Sequence, residues 1–76
     1  MEANIFKRRL EEAKNNSEYI KIIFQYPASE RAIIKRGYVL EVMDNGFNLQ
    51  EDRDGEVSYA FDYIVEIKVE VKNDTH

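Results

Sequence analysis

The sequence predicts a mainly β protein, in which one N-terminal helix precedes a five-stranded, strongly bent antiparallel sheet that forms a small barrel. The apolar repeat changes from about 3.6 residues to two after residue 18. Asn-Gly and Asp-Gly pairs, which are strong hairpin signals, separate the later apolar runs. A glycine interrupts the longest of these runs. We therefore expect a single domain over residues 1–76.

The first segment, residues 3–15, is predicted to be an α-helix with one apolar face. Four apolar residues share that face: Ala3, Phe6, Leu10 and Ala13. The pair Asn15-Asn16 then supplies residues that readily adopt the left-handed conformation that ends a helix. A helix with a single apolar face needs another element to cover that face, and the strands that follow supply it.

Five strands are predicted after the helix, over residues 19–26, 32–44, 47–51, 56–61 and 64–71. Pro27 ends the first because it has no N–H to donate to a ladder. The second is much longer than the usual strand of about 5–6 residues. Gly37 lies near its middle, where we expect a bulge or a sharp bend. A long strand bent at this point can serve two sides of a small barrel.

The chemistry needed for catalysis is absent from the sequence. The only histidine is His76, and none of the serines has a general base in its sequence context. The chain has no cysteine, and the acidic run Glu51–Glu56 lacks the spacing of a calcium loop. We therefore predict a protein that is not an enzyme and that carries no cofactor and no metal.

Charge is unevenly distributed along the chain. Residues 1–38 hold eight basic and five acidic residues, a net charge of +3, whereas residues 39–76 hold three basic and ten acidic residues, a net charge of −7. A basic half can present a local positive surface even on an acidic protein. No apolar signal segment and no run long enough to span a bilayer is visible, so a cytoplasmic location without membrane attachment is expected.

A short motif across the second hairpin resembles a known family. Leu40-x-x-x-Asp44-x-x-Phe47-Asn48-Leu49 is similar to the first signature of the Sm-like family, particularly its bacterial Hfq-like branch, in which a helix precedes a bent five-stranded barrel. This resemblance implies that Phe47 stacks on a nucleobase, that Asn48 bonds the base edge and that Asp44 holds the loop. The same residues also suit a tight hairpin with no ligand. Both interpretations stay open from sequence.

The Sm-like resemblance implies a single-stranded RNA partner and a homo-oligomer. Strands 56–61 and 64–71 would pair between subunits in a ring. Phosphate contacts would fall to four basic residues: Arg8, Arg9, Lys35 and Arg36.

A second resemblance leads to a different partner. Ile22-x-Phe24-x-Tyr26 and Phe61-Asp62-Tyr63-Ile64-Val65 look like the WYL module, another barrel of the Sm/SH3 type. It implies a protein-interaction or regulatory module that does not bind nucleic acid, whose acidic half meets a basic partner. The two resemblances agree on an Sm/SH3-like small barrel and disagree on its use.

Overall fold

The computed structural model of the chain describes residues 2–71. One helix precedes five strands: α1 Glu2–Asn15, β1 Tyr19–Phe24, β2 Ile33–Val42, β3 Gly46–Glu51, β4 Gly55–Ala60 and β5 Ile64–Val69. Each end lies within two residues of the predicted boundary. The side chain of Ala3 and the whole of His76 lie outside the described part of the chain.

The helix ends through a left-handed residue, but not at the predicted pair Asn15-Asn16. Ser17 adopts this conformation, with a φ of 54°. The N–H of Glu18 donates to the carbonyl oxygen of Ala13 at 2.9 Å. This six-to-one hydrogen bond is typical of a Schellman motif. It ends α1 and leads the chain directly into β1.

The strands form one antiparallel sheet in the order β4-β3-β2-β1-β5. The predicted fold class, mainly β with one N-terminal helix and a five-stranded antiparallel sheet, is confirmed. Within residues 2–71 the sheet remains open, because β4 and β5 have no hydrogen-bonded strand on their outer sides. The two strands predicted to pair between subunits are therefore the two edges of the sheet.

The central strand β2 has ten residues and carries a bulge. Val39 pairs with Leu49 and Glu41 pairs with Asn48, so Leu40 is the extra residue on β2. A bulge of this kind bends the strand and increases its twist. The predicted irregularity thus exists, but it lies three residues beyond the glycine to which the prediction assigned it.

Gly37 has a different role from the predicted one. It pairs in regular register with Glu51, and a Cβ added there would lie 2.1 Å from the carbonyl oxygen of Gln50. Glycine is required at this position because the backbones of β2 and β3 approach too closely for any side chain.

The core lies between α1 and the curved inner face of the sheet. β1 supplies its alternate residues as predicted, with Ile20, Ile22 and Phe24 fully buried. The other buried apolar residues of this cluster come from the helix, from β2 and β3, and from the connection to β5 and its first residue: Leu10, Ala13, Val39, Phe47, Leu49, Phe61 and Ile64. The face of α1 that contains Leu10 and Ala13 therefore covers the sheet as its pattern predicts.

Candidate functional site

The aromatic residue of the Sm-like motif, Phe47, lies in the core. Its side chain has no exposed surface. Its ring stacks on Phe61, with centroids 6.0 Å apart and planes 10° from parallel, and also contacts Tyr59 at 5.7 Å. The ring is therefore not available to stack on a base, contrary to the prediction. Its position follows from strand alternation, because Phe47 and Leu49 face the same covered side.

Asn48 points to the opposite side of the sheet, where its amide group is already bonded. Its Nδ2 donates to Glu56 at 2.9 Å, and the hydroxyl of Ser58 donates to its Oδ1 at 2.6 Å. Asp44 is almost fully exposed and forms an ion pair with Lys7 at 3.4 Å. The structure therefore does not bring Asp44, Phe47 and Asn48 together in one pocket. The interpretation of the motif as a tight hairpin agrees with this arrangement.

Three of the four basic residues predicted to contact phosphate are paired with acids of the same chain. Arg36 bonds Glu70 at 2.8 Å, and the Arg36 guanidinium holds the pKa of that carboxyl below its usual range. Lys35 lies 3.9 Å from a carboxylate oxygen of Glu51.

The other two basic residues predicted to contact phosphate, Arg8 and Arg9, lie on the helix. Arg9 pairs with Glu18 at 3.0 Å and lies 3.7 Å from Glu12. Arg8 is exposed and forms no ion pair with another described residue. The positive charge of the first half of the chain is thus largely neutralised at short range.

A buried carboxylate, Glu51, is a feature that the sequence interpretation missed. Its side chain is only 7% exposed. The hydroxyl of Tyr59 donates a hydrogen bond to it, and Lys35 approaches its other oxygen. Burial, with this hydrogen bond to Glu51, raises the pKa of Tyr59. The sequence places Glu51 at the end of the third strand and at the start of an acidic run. It follows Phe47 and Leu49 in steps of two, a signal that places it on the covered face.

A second tyrosine–carboxylate pair lies on the outer side of the sheet. The hydroxyl of Tyr19 donates to Asp52 at 2.6 Å, and its ring contacts that of Tyr38 at 5.3 Å. The hydrogen bond to Asp52, together with burial, raises the pKa of Tyr19 to about 12. The turn after β3 is therefore anchored to the start of β1.

An open groove lies beside the edge strand β4. Its volume is about 550 Å³. It is lined by the β2–β3 turn and by the end of β4, through Met43, Asp44, Asn45, Gly46, Ser58, Tyr59 and Ala60. Sequence alone offers no signal for this groove, because it joins two segments that only the fold brings together.

The other edge strand, β5, carries exposed apolar residues. Val65 is 56% and Val69 is 52% exposed. Val65 also lines a smaller groove of about 240 Å³ with Ile64 and with Ile5 and Phe6 of the helix. Exposed apolar residues at a sheet edge mark a surface that can contact another chain.

Comparisons with protein-family models, with curated proteins and with solved structures gave no match to this chain. The Sm-like and WYL resemblances therefore stay predictions. No helix within residues 2–71 is long and apolar enough to cross a membrane.

Proposed function

We propose that this chain is a non-catalytic protein-interaction module that binds an extended segment of a partner by adding it as a strand to the sheet. The observation that carries this proposal is the open edge of β4 beside a groove of about 550 Å³. Strand addition uses backbone hydrogen bonds for affinity and neighbouring pockets for specificity.

The direction in which the backbone N–H and C=O groups of β4 point supports the proposal. The N–H of Met43 donates to the carbonyl oxygen of Gly46 at 2.8 Å, so the polar groups of Gly46 face β2. This direction alternates along a strand, so the backbone N–H and C=O groups of Phe47 point toward β4 and pair with those of Tyr59. Ser58 and Ala60, on either side of Tyr59, then direct their N–H and C=O groups outward. No strand within residues 2–71 pairs with these groups, so an incoming strand can bond to them.

The charge arrangement favours a protein partner over RNA. Arg9, Lys35 and Arg36 are each paired with a glutamate of the same chain, and the whole chain has a net charge of −4. Affinity for nucleic acid depends largely on free Lys and Arg that neutralise phosphates. Single-stranded RNA binding in a homo-oligomer stays a prediction.

Proline substitutions test the proposed strand addition. Ala60→Pro removes an N–H that points outward and is expected to leave the fold intact, since proline is tolerated at such edge positions. We expect partners captured by the wild type to be lost by Ala60→Pro and retained by Glu30→Pro, a control in the exposed β1–β2 loop. In the wild-type complex, the amides of Ser58 and Ala60 should gain protection from hydrogen exchange. Equal capture by both variants, without added protection, contradicts strand addition.

A further inference from the structure

We infer that the segment bound at β4 belongs to another protein and alternates basic with apolar residues. This inference rests on the proposed function, because it assigns the chemistry of the strand that β4 receives. Three features of the molecule support it. They are the charge of residues 44–62, which contain β3 and β4, the division of β4 into two faces, and the apolar part of the adjoining groove.

The segment that contains β3 and β4 is strongly acidic. Residues 44–62 contain six acidic residues and one basic residue, Arg53, a net charge of −5. Glu56, Asp54 and Asp62 are exposed on β4 and at its two ends. β3 and β4 contain no lysine or arginine. A segment carrying Lys or Arg is attracted to this edge, whereas an acidic segment is repelled.

The two faces of β4 call for two kinds of side chain. Glu56, Ser58 and Ala60 lie on the outer face and are exposed, whereas Val57 and Tyr59 are half-buried on the inner face. Residues directly opposite one another in neighbouring strands share a face. An added strand therefore places basic side chains opposite Glu56 and apolar ones opposite Val57 and Tyr59.

The groove at the end of β4 supplies apolar contact for the same segment. Met43 is 40% exposed at its wall, and the half-buried ring of Tyr59 contributes to its lining. An apolar side chain next to Tyr59 on the added strand lies over this groove. Methionine adapts to the shape of such a side chain and makes favourable contacts with aromatic rings.

A second copy of the chain fits the β4 edge less well. A copy that offers its own β4 would bring a second Glu56 and no lysine or arginine to this edge. A copy that offers β5 would bring Lys68, which already pairs with Glu66 of the same strand at 3.4 Å. The first arrangement adds like charge to an edge that already carries Glu56, and the second offers no unpaired basic side chain on β5. Like charges placed opposite one another across strands are destabilising. Charge therefore selects a basic segment from a different protein.

Three eight-residue peptides test the inference with the full chain. One alternates lysine with valine, one alternates glutamate with valine, and one alternates lysine with proline. We expect the Lys–Val peptide to bind at least about tenfold more tightly than either control, by isothermal titration or by amide chemical shifts. The Glu–Val peptide tests charge, and the Lys–Pro peptide keeps the charge but cannot join a ladder.

The outcomes separate the inference from the proposed function. Equal binding of the Glu–Val and Lys–Val peptides, lost in Ala60→Pro, overturns the basic segment and leaves strand addition standing. Equal binding of the Lys–Pro and Lys–Val peptides overturns strand addition as well. No binding of any of the three overturns the inference, while the proline variants decide the proposed function independently.

A matched pair of variants locates the charge. Glu56→Gln keeps an oxygen that can accept the hydrogen bond from Asn48 and removes the negative charge. We expect it to weaken Lys–Val binding about threefold or more at low salt, with Glu30→Gln unchanged. Sedimentation of the protein alone completes the test. Self-association that disappears in Ala60→Pro assigns the β4 edge to a second copy and overturns the inference.

Discussion

The buried carboxylate of Glu51 depends on a single hydroxyl for much of its compensation. The Tyr59 hydroxyl donates to one of its oxygens, whereas Lys35 lies 3.9 Å from the other. A buried acceptor that loses its partner retains its desolvation cost. We expect Tyr59→Phe to lower the free energy of unfolding by about 1–3 kcal/mol. Urea denaturation measures this. Tyr63→Phe, at a more exposed tyrosine, is the control and is expected to change stability very little.

Tyr19 should make stability depend on alkaline pH. Its pKa is raised to about 12 by the hydrogen bond to Asp52 and by burial, while an unfolded tyrosine titrates near about 10. Folding therefore favours the neutral phenol. Its contribution is complete below pH ~10 and is lost as the pH rises through ~12. We expect the free energy of unfolding to fall less steeply over this range in Tyr19→Phe. If the free energy of unfolding falls equally steeply with pH in the wild type and in Tyr19→Phe, Tyr19 does not have this role. The pKa of Tyr59 is also raised, so its ionisation lowers the free energy of unfolding in the same direction, and this effect remains in Tyr19→Phe.

Among the elements, the contact between β2 and β3 depends on a missing side chain. A Cβ at Gly37 would lie 2.1 Å from the carbonyl oxygen of Gln50, so the two strands must separate to accept alanine. We expect Gly37→Ala to destabilise the fold by about 2–3 kcal/mol, as overpacking does. Thermal or urea denaturation measures the change.

Gly55 is the matched control, because it needs glycine for a different reason. Its φ is 72°, and a Cβ there would contact nothing within 4 Å. Gly55→Ala is expected to cost about 1–2 kcal/mol from backbone strain alone. Asparagine tolerates this conformation, so Gly55→Asn should recover part of the loss. Gly37→Asn should not, and recovery at Gly37 would show that conformation rather than space limits that position.

At the scale of the whole molecule, ion pairs control how much positive charge is free. Arg36 and Lys35 are held by Glu70 and Glu51, and only Arg8 among the predicted phosphate contacts forms no ion pair within the described residues. We expect oligo(U) binding to be negligible at physiological salt and, at low salt, to lose about one phosphate contact from its salt slope in Arg8→Ala. Fluorescence anisotropy over a salt series checks this. A steep slope that Arg8→Ala leaves unchanged would contradict this account and support the Sm-like prediction.

The open sheet also defines how the molecule can associate. Both strands predicted to pair between subunits are edges, yet they differ in character. β4 is acidic and has a groove beside it, whereas β5 is bulged at Val65 and carries exposed valines. A closed homo-oligomeric ring needs β4 and β5 to fit one another. Their difference favours separate partners for the two edges.

Much of the architecture could be predicted because its signals are local. The period-two pattern of β1 identified Ile20, Ile22 and Phe24 as one face, and the Asp-Asn-Gly run identified the hairpin before Phe47. The predicted site was less successful. An aromatic residue next to a hairpin is equally suited to a base pocket and to a core, and the sequence pattern does not say which side of the strand is covered.

The sequence by itself determined the order and approximate limits of the helix and strands, because helical and strand repeats and turn residues act over a few positions. It also determined the acidic balance of residues 44–62. Only the tertiary structure decided that Phe47 and Glu51 are buried, that Arg36 meets Glu70, and that Met43 and Ala60 line one groove. These facts depend on contacts between residues far apart in the chain, which no local pattern encodes. The open β4 edge, on which the proposed function rests, is a fact of this second kind.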